Sequence, residues 1–117
     1  MSEIKRFETG PRMSQAVAYG STVYLAGQVA ARKPGASVKE QTQDIVAKID
    51  ELLAAAGSDK TKLLSATIWL TDIGTFAEMN SVWDAWVSPG NTPARACVEA
   101  RLASPQYNVE IAVVAAR

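Results

Sequence analysis

Two segments near the C-terminal end of the chain carry the residue types that can do carboxylate and acid–base chemistry. In "TPARACVEARL", residues 92–102, Arg95 directly follows a Thr-Pro turn, and strand alternation places it on one face with Cys97, Glu99 and Arg101. A guanidinium is a planar, permanently charged fork that matches a carboxylate in two hydrogen bonds, so Arg95 is a candidate for holding the acid group of a small ligand. The competing role is an ion pair with Glu110 or another acid across the sheet, and spacing does not separate the two. Glu110 stands in "NVEIAVVAA", with no further ionisable side chain before Arg117. An ionised carboxylate taken out of water without a partner costs several kcal/mol. Glu110 is therefore paired, hydrogen-bonded or protonated with a raised pKa, or else it is an edge-strand glutamate that points to solvent.

The rest of the composition narrows the chemistry. The 117 residues include one cysteine, Cys97, and no histidine, so the commonest general base and the commonest metal ligand are both missing. Without an imidazole to lower its pKa, Cys97 reads as a small buried or interface residue rather than a nucleophile. Twelve basic side chains balance twelve acidic ones, which gives no electrostatic case for a nucleic-acid or anionic-membrane partner. The glycines of "GSTVYLAGQ" lack the spacing of a phosphate loop. No apolar run has the length of a transmembrane helix, and the polar start "MSEIKRFETG" has no secretory middle region, so a cytoplasmic protein of one domain, 1–117, is expected.

The elements that must position Arg95 and Glu110 follow from periodicity. Short strands are expected at "IKRF", "SQAVA" and "TVYLAG", then a mobile loop at "VAARKPGAS". Ser37 and Glu40 form a capping box before Ile45, Ile49, Leu52 and Leu53, which predicts a helix over about 38–56 closed by Gly57. "LLSATIWLTD" alternates as a strand with Leu64, Ala66, Ile68 and Leu70 on one face. Thr75 and Glu78 suggest a second capping box, opening a helix with the stripe Phe76, Met79, Val82, Trp83 and Trp86. The strands "ARACVEARL" and "NVEIAVVAAR" close the chain. This order predicts an α+β domain, a mixed sheet with two helices packed on one face. The other face, with Tyr24, Trp69, Cys97 and one side of the apolar last strand, would lack a lid, which points to oligomerisation through it.

Taken together, "TPARACVEARL" and "VEIAVVAA", with "GPRMSQAV" at 10–17, "AGQVA" at 26–30 and "FAEMNSVWDAW" at 76–86, resemble the RidA/YjgF family of imine deaminases. "MNSVWDAWV" and "SPQYNVEI" are most similar to its short YoaB-like members. The resemblance implies a chorismate-mutase-like fold in a homotrimer with three clefts between subunits. It implies that Arg95 holds the carboxylate of a 2-imino acid or enamine, and that Glu110 positions or activates the water that attacks the imine carbon. Backbone groups near Gly27 and Cys97 would complete the pocket, with Asn80 a lesser contributor, and no metal or organic cofactor would be needed. The products would be a 2-oxo acid and ammonia. Met13 and Ala26 stand where the typical member has a tyrosine and a serine. Loss of those two hydroxyls motivates the alternative of a non-catalytic module that binds a small carboxylate such as a 2-oxo acid in the same cleft.

Overall fold

In a computed structural model, which describes residues 3–117, the chain forms six strands and two helices: β1 Lys5–Thr9, β2 Ser14–Tyr19, β3 Thr22–Leu25, α1 Val38–Ala55, β4 Leu63–Leu70, α2 Phe76–Trp86, β5 Ala94–Glu99 and β6 Val109–Ala116. The strands make one sheet in the order β1-β2-β3-β6-β4-β5. Every pairing is antiparallel except β4 with β5, which the crossover through α2 makes parallel. The expected mixed sheet with two helices on one face is what the chain builds.

Local signals explain the first helix. Ser37 Oγ accepts from the Glu40 backbone N–H at 3.1 Å and donates to Glu40 Oε1 at 3.2 Å, while Gly57 takes a left-handed φ of 82° just past the helix end. Ile45, Ile49 and Leu53 are fully buried against the sheet, opposite Val23, Ile111 and Val113. The alternation on β6 is strict: Val109, Ile111, Val113 and Ala115 lie under the helices, and Glu110, Ala112, Val114 and Ala116 face the other way.

Four expectations change in the folded chain. Leu64 is not in the core; it is 52% exposed, because a register shift between Leu63 and Ser65 turns Leu63 inward in its place. The Thr75 capping box does not form: Thr75 Oγ1 donates to the Asp72 carbonyl, Asp72 Oδ1 caps Gly74, and Glu78 accepts from the Lys39 backbone N–H at 2.8 Å. The segment after β3 is tied down, since Asp44 accepts from both the backbone and side chain of Arg32 and the Gly35 N–H donates to the Gln106 carbonyl. Cys97 lies on the helix side, not the open face, because it registers with fully buried Ile68.

Candidate active site

Arg95 and Glu110 come from strands on either side of β4 but from opposite faces of the sheet. Arg95 registers with buried Ala66, so its side chain leaves toward α2. There its Nη1 donates to Asn80 Oδ1 at 2.8 Å, and its Cζ stands 5.4 Å from the Trp83 ring centre and 5.6 Å from that of Phe76. Glu110 registers with Trp69 on the open face. An ion pair between the two within one chain is therefore ruled out, and among the described residues Arg95 has no carboxylate partner. Glu99, on the Arg95 side of β5, accepts instead from the Ile73 backbone N–H at 3.0 Å, which fixes the approach to α2. Arg101 lies past the end of β5 and shares no strand face with Arg95.

The glutamate is seated against Gly27. A side-chain carbon at position 27 would stand 2.9 Å from Glu110 Cδ and 3.1 Å from Cγ, closer than packed atoms allow, so the glycine clears the space that the carboxyl occupies. The backbone carrying Gly27 is held by Gln28, whose buried amide donates to Gln15 Oε1 at 2.8 Å and to the Ala26 carbonyl at 3.0 Å. Gln28 also exchanges backbone hydrogen bonds with Ile111, the neighbour of Glu110. Gln28 is a positioning residue that the sequence signalled only as a polar side chain directly after the "AG" dipeptide.

Two hollows adjoin this pair. Gly27, Met13, Gln15 and Gln28 line a cleft of about 420 Å³ whose far wall includes Arg32 and Lys48. Glu110, Trp69 and the 100–103 loop line a smaller one of about 220 Å³. Met13 is 48% exposed and lines the first, so its thioether fronts on the cleft. Burial pushes the Glu110 carboxyl above its ordinary value, with no nearby charge to oppose it. Burial likewise raises the Cys97 thiol, against a smaller lowering by Arg95, so Cys97 is kept as the neutral thiol expected of a packing residue.

Of the five site residues expected from the sequence, two groups form. Gly27 and Glu110 meet on the open face; Arg95, Asn80 and Cys97 gather on the helix side at the β5 edge. Helical spacing puts Phe76 and Trp83 in the apolar stripe of α2. Trp83 is buried, but Phe76 is 40% exposed, and both rings flank Arg95.

These features define a class: a small α+β protein with a desolvated carboxyl on an open sheet face and a carboxylate-free arginine at the sheet edge. Comparison with known proteins gives the family. The model of the family described as Endoribonuclease L-PSP matches residues 3–117. The RutC family protein YoaB of Escherichia coli is 42% identical over 113 residues, 97% of each chain. The 2-iminobutanoate/2-iminopropanoate deaminase of Rattus norvegicus is 32% identical over 108 residues, covering 87% of this chain and 77% of the rat protein. A crystal structure of a YjgF-family protein from Neisseria meningitidis superposes with a TM-score of 0.95 at 51% identity, covering 98% of this chain and 95% of that one. The chain belongs to the RidA/YjgF family, and its length and similarity group it with the short YoaB-like members.

Proposed function

We propose that the protein hydrolyses reactive 2-imino and enamine acids to 2-oxo acids and ammonia without a cofactor, at clefts shared between subunits of a homotrimer. The observation that carries this reading is the seating of a part-buried Glu110, without a side-chain partner among the described residues, against Gly27, while Arg95 has no carboxylate partner among them on the opposite face. A carboxylate-binding fork and a water-activating carboxyl are the two parts that imine hydrolysis needs. One chain cannot bring them together, so each cleft takes Arg95 from one subunit and Glu110 with Gly27 from its neighbour. The apolar open face supports such packing, with Tyr24 50% exposed beside Val114. The rat relative, by its name, acts on imines of this class.

In the proposed reaction Arg95 fixes the substrate carboxylate, and Glu110 accepts a proton from a water as its oxygen bonds to the iminium carbon. The resulting carbinolamine receives that proton on nitrogen. Its hydroxyl then yields a proton to the Glu110 carboxylate as the C–N bond breaks, which releases ammonia and leaves the C=O of the 2-oxo acid. The iminium carbon is already electrophilic, so no covalent nucleophile is required.

The test follows decay of 2-imino acids generated in situ by an amino-acid oxidase. Wild type is expected to accelerate decay. Glu110→Ala should lose on the order of a hundredfold or more, the usual contribution of a general base. Arg95→Ala should also lose activity. Gly27→Ala, which displaces the Glu110 carboxyl, should lose at least about tenfold with the fold intact. A wild-type rate equal to buffer across the panel would sink the deaminase reading. It would favour the second one, a carboxylate-binding module, which is supported by Met13 at the cleft mouth in place of a hydroxyl donor.

A further inference from the structure

An arginine side chain on an edge strand has rotamer freedom to lose when it is held in one place. The side-chain hydrogen bond of Arg95 and both of its ring contacts come from α2. Phe76, Asn80 and Trp83 fall at i, i+4 and i+7, so they form one stripe on the helix face next to β5. The two rings stand 5.6 Å and 5.4 Å from the guanidinium carbon, and the Asn80 oxygen takes one N–H at 2.8 Å. Trp83 is itself fixed, 4% exposed and tilted against Trp86 at 5.3 Å between ring centres. The core does not need the other two members. Phe76 leaves a large apolar ring 40% exposed at the first helical position, and Asn80 is a weak helix former placed mid-helix. Both are accounted for by the guanidinium.

We propose that Phe76, Asn80 and Trp83 form a preformed guanidinium slot that positions Arg95 for an incoming carboxylate, with Phe76 as a positioning residue. The inference rests on the reading of Arg95 as the carboxylate fork given above. Asn80 occupies one of the five N–H groups, which leaves two adjacent donors free to meet both oxygens of a ligand acid group. The rings attract the cation through their faces without competing for its donors. A carboxylate partner in the same place would have blocked the fork, whereas an aromatic and amide slot holds it open.

The experiment combines two readouts on wild type, Phe76→Leu and Phe76→Tyr, with thermal unfolding of each as the control for folding. The first is the NMR order parameter of the Arg95 Nε–Hε group without ligand; the second is the affinity for 2-oxobutanoate by calorimetry. The slot predicts that Phe76→Leu lowers the Arg95 order parameter and weakens 2-oxobutanoate binding about two- to fivefold, the range of an exposed cation–π contact, while Phe76→Tyr restores both. It also predicts that millimolar guanidinium ion restores 2-oxobutanoate binding to Arg95→Ala but not to Arg95→Ala combined with Phe76→Leu. An unchanged Arg95 order parameter in Phe76→Leu overturns the slot, whatever the protein's activity. Reduced order with no carboxylate binding by any variant upholds the slot and overturns the reading of Arg95 as a ligand fork.

Discussion

At the scale of single residues, Glu110 is the group whose environment carries a measurable signature. Its carboxyl is part-buried with no compensating charge beside it, so its pKa is raised above the ordinary glutamate value. The folded chain thus binds the proton more tightly than the unfolded chain does. Stability from this group is fully present below the unfolded carboxylate range, about 4.3, and is lost as pH rises through the raised folded value. Glu110→Gln should therefore be more heat-stable than wild type at neutral pH, with the difference closing as pH falls. Thermal melts of both proteins across pH 4 to 8 check the sign. A general base must be ionised, so the imine-hydrolysis rate should fall with acid over the same window. Arg95 teaches a different lesson at this scale: its type and its turn were legible in the chain, but its contacts were not, because Phe76 and Trp83 lie in another element.

At the scale of elements, the two helices differ in how much their sequence signals decided. The Ser-x-x-Glu pattern before α1 does cap the helix: Ser37 Oγ accepts from the Glu40 backbone N–H and its hydroxyl donates to the Glu40 carboxylate. The Thr-x-x-Glu pattern before α2 does not, because Asp72 already caps the preceding 3-10 turn and Glu78 is drawn to the start of α1. Ser37→Ala should accordingly cost about 1 kcal/mol of stability in urea unfolding, a typical N-cap loss, and Thr75→Ala less. The same contrast explains β4. Two leucines in succession offer either register to the core, and the bulge at Leu63/Ser65 chooses between them only once β6 is paired.

At the scale of the molecule, the sheet leaves one face and two edges without cover. Edge strand β5 presents unpaired backbone groups beside Arg95, and the open face presents Tyr24, Trp69 and Val114 around Glu110. If each cleft draws Arg95 and Glu110 from neighbouring subunits, the two defects complement each other. Arg95→Ala and Glu110→Ala chains, each inactive alone, should regain about a quarter of wild-type activity when unfolded together in equal amounts and refolded, since random assembly leaves that share of clefts intact. No recovery, with mixed oligomers verified by mass spectrometry, would overturn the reading of a cleft shared between neighbouring subunits. Glu110 is half-buried already in the single chain, so its carboxyl does not depend on the neighbour for desolvation.

The sequence by itself determined the α+β class, the sites of both helices, the last strand and the residue types able to handle a carboxylate. These are local or periodic properties, written within a few turns of helix or a few residues of strand. Only the tertiary structure decided that Arg95 and Glu110 leave opposite faces of the sheet, that Cys97 turns toward the helices, that Phe76 flanks a guanidinium and that Gly27 clears room for a carboxyl. Each of these depends on strand order and register between segments far apart in the chain. Shifting a register by one residue would reverse every side chain involved, and no local pattern encodes that choice.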